Sequence, residues 1–309
     1  MSQFLTSDYL IAFLFSVIRM STPIIFCALG ALIASHAGAI NMALEGIMLT
    51  ASLLAVMFSA WLQNCWAGLL GAVLGGLLMS LLFAWLHLYK DSDLIITGLA
   101  LNTMASGGTV YLLYLACGDK GTSRLLPSIN LPNVELPLIR HIPVLGPVLS
   151  GHNILTYLAL VAVFLCWVLV FRSRLGLRIR AVGFNPNAAA SVGISVRRVK
   201  FEALLLSGLF ASLGGAFMSM GYLSYFARDM MAGRGYMGIA AATLADGHCL
   251  STLLASLGFG TANAASITLA TMNLKADLVA MIPYLVTVIG LVIVSARKQA
   301  KARKLQADK

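Results

Sequence analysis

Charge is what this 309-residue sequence has least of: Asp, Glu, Lys and Arg together make up 10%, against 60% hydrophobic residues. A water-soluble globular domain carries about a quarter charged residues, so composition alone excludes that class. Cysteine is sparse as well. Cys27, Cys65, Cys117, Cys166 and Cys249 stand singly, with no CxxC and no partner at metal-ligand spacing, so they read as small buried hydrophobes. No lysine completes the GxxxxGK[ST] pattern that cradles nucleotide phosphates, and HExxH, GxSxG and a Cys/His nucleophile arrangement are missing too. The chain is therefore not expected to be an enzyme or to hold a cofactor or metal. The opening MSQFLTSDYLIAFLFSVIRMS has no basic leader and no small-residue cleavage site, so no cleaved signal peptide is expected.

What is present is apolar sequence in long runs, and the mean hydropathy is +0.90. Runs of about twenty residues cross the roughly 30 Å hydrocarbon core as helices, which satisfy their own backbone hydrogen bonds. Candidate helices fall at 7–35, with Pro23 at a possible break, then 43–62, 66–89, 94–116, 153–171, 202–226, 236–247, 250–270 and 277–296. The sequence thus predicts an all-α, polytopic membrane protein, one domain over 1–309, with about eight to ten crossings. The stretch 236–247 is short and flanked by glycine, as expected of a half-helix.

The net charge of +10 is concentrated in short patches beside apolar runs. Arg172, Arg174, Arg178, Arg180, Arg197, Arg198 and Lys200 form one patch, in and just before the loop 173–201; Arg297, Lys298, Lys301, Arg303 and Lys304 form another, in the tail 297–309. That distribution is a topology signal placing both in the cytoplasm, and it argues against nucleic acid as the partner. The segment 117–152 then lies outside, and Pro127, Pro132, Pro137, Pro143 and Pro147 predict an extended loop there.

Within the basic loop, GFNPNAAASVGIS encodes a short helix: Asn185 suits the N-cap, Pro186 the first turn, the alanines favour helix, and Gly193 can close it left-handed. A mere connector needs none of this. The sequence reads as a docking element: the small side chains, Ala189 among them, offer a ridge for a groove on another protein, and arginines such as Arg180 hold acidic groups or lipid phosphates.

Three blocks carry a resemblance: ASHAGAINMALEGIMLTAS (Ala34 to Ser52), RIRAVGFNPNAAASVGISVRRVK (Arg178 to Lys200) and LGGAFMSMGYLSYFARDMMAGRGYMGIAAATLA (Leu213 to Ala245). The chain resembles permease subunits of bacterial ABC importers in the branched-chain transport permease family, nucleoside and simple-sugar permeases in particular. The resemblance implies transport across the cytoplasmic (inner) membrane, driven by ATP and Mg held on a partner ATPase. It also implies a second, unequal permease chain, an extracytoplasmic binding protein and surrounding lipid. The coupling role carries over to Asn185, Pro186, Ala189 and Gly193. The chain departs from the family at LADGHCLSTLLAS, which leaves Asp246 and His248 without support from the resemblance. A sugar or riboflavin-type permease, or an ion-coupled secondary transporter, is the alternative.

Polar residues inside apolar runs are candidates for the path or its gate. Glu45 either lines the path, accepting hydrogen bonds from solute, or pairs with buried donors and locks a broken helix; the second is favoured, because intramembrane carboxylates generally pair. Asn41 is expected to cap the helix beginning near it. Asn102, among small residues, reads as interhelical glue. In ARDMMAGRGYMG, Asp229 and Arg234 are expected to meet an external partner or close a gate, with Gly235 admitting a half-helix beside the path. Tyr222, with Tyr225, Phe226 and Tyr236, fits an aromatic belt or an external mouth. His36 and His87 are expected to be plain interfacial residues.

Overall fold

A computed structural model of the chain describes residues 7–135, 145–270, 279, 281–290, 292 and 296. It is helical nearly throughout. Pro137, Pro143 and the tail 297–309, with the whole basic patch in that tail, lie outside the described residues.

The first helix, α1 (Ser7–His36), runs unbroken through Pro23. The expected break is absent because the turn before the proline is fastened by side chains: Ser21 Oγ donates to the Val17 carbonyl at 2.7 Å and Thr22 Oγ1 to Ile18 at 3.0 Å. Beyond Pro23, residues such as Ile24, Phe26, Leu29, Leu32 and Ile33 are fully buried, so packing holds what the lost backbone bond does not.

Three helices follow in up-and-down order: α2 (Leu44–Leu62), α3 (Cys65–Tyr89) and α4 (Leu94–Cys117). Asn64 caps α3 and Asp93 caps α4. Past α4, the expected extended loop contains a two-residue antiparallel pair, β1 (Asn133–Val134) with β2 (His152–Asn153), and a five-residue helix, α5 (Leu145–Leu149). This loop is bonded to the return strand of the chain, with Ser123 donating to the Phe226 carbonyl and Arg228 to Gly121.

The helix α6 (Ile154–Trp167) ends in a π-helical turn, Val168–Arg172, and α7 (Arg174–Phe184) begins directly after it, capped by Ser173. Next come the short α8 (Pro186–Ser191), the long α9 (Val196–Phe217) ending in a second π turn, the half-length α10 (Arg234–Leu244) and α11 (Cys249–Ala270). A last helical stretch, 282–290, falls in the segment expected at 277–296. Among the described residues six helices are long and apolar enough to cross a membrane, by length and composition. The helix α4 has the length, at 24 residues, but carries Asn, Ser, Thr and Gly. With it, the half-length α10 and the last stretch, the described helices are compatible with eight to ten.

The core is formed by α1, α2 and α9, whose buried residues include Phe26, Leu29, Leu44, Met48, Leu53 and Phe217. Small residues set the spacing. A Cβ on Gly215 would collide with the backbone of Met48, which keeps α2 and α9 in direct backbone contact.

Candidate functional site: two helices that begin inside the bundle

Helices α2 and α10 both start well away from the ends of the bundle. The first turn of α2 meets Asn102, about 12 Å along α4 from its first residue at roughly 1.5 Å per residue. The start of α10 packs beside Cys27 and Ala28, in the middle of α1. With 11 residues, α10 spans about 16 Å, roughly half the hydrocarbon thickness. Each such start leaves backbone amides that the hydrocarbon cannot satisfy, and polar side chains of neighbouring elements supply the acceptors.

For α10 the acceptor is Glu45. Its Oε1 accepts from the Gly233 amide at 2.7 Å and its Oε2 from the Gly235 amide at 2.6 Å. Both carboxylate oxygens are thereby engaged at the positive end of a helix, where the dipole favours a negative charge. Two glycines make the approach possible. Gly233 has φ +77°, in the left-handed region, and a Cβ on Gly235 would lie 2.6 Å from the Glu45 backbone nitrogen.

For α2 the acceptor is Asn102, whose Oδ1 takes the Gly46 amide at 2.8 Å. Its Nδ2 donates to the Met42 carbonyl and to the Tyr236 hydroxyl, both at 2.8 Å. One side chain on α4 thus holds the start of α2 and the first turn of α10 together. Asn41, expected to cap α2, does something else. Its Oδ1 accepts from Ala43 at 3.1 Å and its Nδ2 donates to Ser207 Oγ at 3.0 Å, folding the turn before the helix and tying it to α9. The N-cap itself is Ala43, with no side-chain cap, so the acceptor comes from across the bundle.

The segment 227–233 starts at the surface loop and descends to this level. At its top, Asp229 accepts from Ser106 Oγ at 2.7 Å and sits 3.4 Å from Arg228 Nε. Arg234 turns back onto the Met230 and Met231 carbonyls at 3.2 and 3.0 Å. Tyr222 takes a different neighbour: the Arg19 guanidinium lies 4.5 Å from its ring centroid. The aromatic residues expected to cluster are dispersed, with Phe226 buried, Tyr225 beneath Arg124, and the exposed Tyr236 bonded to Asn102.

At the other end of α10 a cavity of about 300 Å³ opens between α1 and α10, lined by Ser35, Ile40, Asn41, Ile239, Thr243 and Asp246 among others. The turn Asp246–Gly247 has φ +51° and +84°, and His36 Nε2 donates to the Gly247 carbonyl at 3.0 Å. His36 also meets the edge of Phe171, on whose face His248 stacks and over which Arg180 lies at 5.3 Å. This cluster joins the half-helix to the basic end of the bundle. Sequence reasoning gave His36 no part in the site; its contacts are to residues more than a hundred positions away, and nothing local announces them.

The basic loop is two helices, where one was expected. In α8, Asn185 Oδ1 accepts from the Asn187 and Ala188 amides at 3.1 Å, Pro186 opens the first turn, and Gly193 closes the end with φ +85°. Two expectations need correction. Ala189 is buried at 4% exposure, because three consecutive alanines on a helix cannot all face outward; the exposed ridge is Ala188 and Ala190. Arg180 faces Phe171 inside the chain, whereas Arg172, Arg174, Arg178, Arg197 and Arg198 are exposed. The free apolar surface comes from Phe184, 95% exposed, and Val192, 75% exposed, at the two ends of α8. Gly183, next to Phe184, rests on the His36 carbonyl so closely that a Cβ there would collide with it.

The comparisons with known proteins agree with this architecture. The family described as Branched-chain amino acid transport system / permease component matches residues 13–294. The guanosine ABC transporter permease protein NupQ of Bacillus subtilis is 30% identical, over 88% of each chain. The nucleoside ABC transporter permease protein NupC of Lactococcus lactis is 31% identical over 88% of this chain and 89% of its own. The putative glucose ABC transporter permease protein TsgC13 of Haloferax volcanii is 27% identical over 85% and 79%. No solved structure matches the chain. With the family match running almost end to end, the chain belongs to the branched-chain amino acid transport system permease family.

Proposed function

We propose that this protein is the membrane-spanning permease subunit of an ATP-driven importer and moves a nucleoside inward by alternating access. The observation that carries this reading is a continuous polar track on an otherwise apolar exposed face. Asp229 is bonded to Ser106, Asn102 stands one turn from Ser106 on α4, Tyr236 is bonded to Asn102, and α10 leads on to Thr243 and Asp246 beside the cavity. Around it Ile40, Ile96, Leu99, Met104 and Tyr111 are exposed. Such a face suits contact with a second permease chain, closing a polar path between two half-channels. The nucleoside assignment is supported by the two relatives at 30 and 31% identity.

In this reading the loop 173–201 is cytoplasmic, and α7 and α8 dock a separate ATPase that holds ATP and Mg. The apolar residues Phe184 and Val192 enter its groove, while Arg178, Arg197 and Arg198 face acidic groups. The surface around 117–152 receives an extracytoplasmic binding protein. Closure of the ATPases moves α7, and the contacts of His36 with Gly247 and of Gly183 with His36 carry that displacement to α10. The half-helix is held at its far end by Glu45, so its movement opens or closes the track.

Uptake of labelled purine and pyrimidine nucleosides, in cells with and without the gene, tests this. Loss of uptake on deletion, blocked by unlabelled nucleosides and not by excess ribose or riboflavin, is the expected result. Unchanged uptake, in cells with no other nucleoside route, moves the solute to a sugar or a vitamin.

A further inference from the structure

A second polar cavity lies apart from the track, where the outer part of α1 meets the β1–β2 pair and the end of α9. It is about 60 Å³ in volume, and Phe15, Arg19, Asn133, His152, Asn153 and Thr156 are among its lining residues. Polar groups dominate it, and none of the described lining residues is acidic.

Arg19 is the residue that needs explaining. It lies within the first apolar helix, where a cation is expected to have a partner. The partner found is a ring: the guanidinium is 4.5 Å from the centroid of Tyr222, and the buried Nε has no hydrogen-bond acceptor among the described residues. Glu135 lies outside this cavity and lines a neighbouring hollow that shares Gly151 with it.

The other polar groups do not supply a negative charge. Asn153 is spent on the backbone, its Nδ2 donating to Leu131 at 3.0 Å and its Oδ1 accepting from Leu155 at 3.1 Å. His152 is 2% exposed, its Nε2 donates to Val148 at 2.9 Å, and Phe15 stacks on it at 4.0 Å. Burial, and less strongly the positive charge of Arg19, hold its imidazole below the usual histidine range, against the opposing pull of the Val148 carbonyl. A neutral His152 leaves Arg19 as the one charged side chain among the described residues that line the cavity.

We propose that this cavity binds one small monovalent anion of halide size, with the Arg19 guanidinium as its principal ligand. The volume accommodates one such ion, or a few waters in its place. An anion there would accept from the guanidinium where it lines the cavity and neutralise the charge the helix carries into the membrane. The site stands independently of the solute that the transporter moves.

Direct binding of radiolabelled chloride to the purified full-length chain in detergent tests the proposal. The expected result is saturable binding of one ion per chain, displaced by bromide and nitrate and not by sulfate or gluconate. In Arg19→Gln the affinity falls about tenfold or more, the loss of a charge-assisted contact. Arg228→Gln, a change at an exposed arginine, leaves it as it was. Absence of saturable binding to the wild-type chain, or equal binding by a folded Arg19→Gln, overturns the proposal and assigns the cavity to water. The wild-type arm decides the question even where the variant does not fold.

Discussion

His36 Nε2 donates to the carbonyl of Gly247 at 3.0 Å, and the carbonyl of His36 itself lies against Gly183. One residue at the end of α1 therefore touches both the turn that follows the half-helix and the helix that leads to the exposed basic loop. In a permease this is where movement of the docking helices would be passed to the path. Coupling of that kind requires an element with two arrangements, biased from both sides.

Replacing His36 by Ala removes the Gly247 contact and the edge-on packing against Phe171, yet leaves Glu45 and Asn102 in place. The expected outcome is a transporter that assembles and retains ATP hydrolysis but loses most of the solute dependence of that hydrolysis. ATPase activity in proteoliposomes with and without solute measures this directly. Solute stimulation equal to wild type would show that the signal takes another route.

The Glu45 clamp makes a second prediction. Glu45→Gln keeps one carbonyl acceptor for two amides, leaving one helix-terminal N–H unsatisfied at a cost of about 1–3 kcal/mol. Gly235→Ala attacks the same contact from the other side, since its Cβ would sit 2.6 Å from the Glu45 nitrogen and carboxylate. Overpacking of this sort costs roughly 1–3 kcal/mol. Both variants should melt at lower temperature than wild type, and the double variant should lose less than the sum, because each breaks the same clamp. Strict additivity in thermal unfolding would show that the two residues act separately.

Asn102 and Tyr236 form the polar centre of the track, with 2.8 Å between Nδ2 and the hydroxyl. Tyr236→Phe deletes one bond and leaves Nδ2 its donation to Met42. The stability loss should be small, about 0.5–1.5 kcal/mol. If the track carries solute, the KM for uptake changes more than the stability does. A KM unchanged alongside a lowered melting temperature would return the pair to simple helix packing.

Much of the architecture was legible in the sequence because membrane helices announce themselves by length and apolarity, and because caps are local. Asn185, Pro186 and Gly193 spell out α8 within nine positions, and glycines around 233–238 mark the half-helix. Glu45 was visible as a charge in an apolar run, but its partners lie nearly two hundred positions on, and hydropathy carries no information about which amides it meets. Asn41 misled for the same reason: the sequence puts a good cap close to the start of α2, whereas the acceptor comes from Asn102 across the bundle. Pro23 looked like a break because much of the packing that holds α1 together beyond it, around Ile24, Phe26 and Leu29, comes from other helices. In α8, composition counted three alanines, and only geometry decided that the middle one faces inward.

That inward alanine separates two experiments on α8, the helix proposed to dock the ATPase. Ala189→Glu places a carboxylate in a buried position beneath α8, so it should unfold the loop locally and lower stability along with transport. Phe184→Ser and Ala188→Glu alter exposed positions, and neither disturbs the Asn185 cap or the Gly193 closure. These surface variants should keep the wild-type melting temperature and reach the membrane in normal amount. They should reduce co-purification of the ATPase, with Phe184→Ser the more severe because it deletes the larger apolar contact. Wild-type recovery of the ATPase with Phe184→Ser would place the docking surface elsewhere on the basic end, with Arg197 and Arg198 at the start of α9 as the next residues to change.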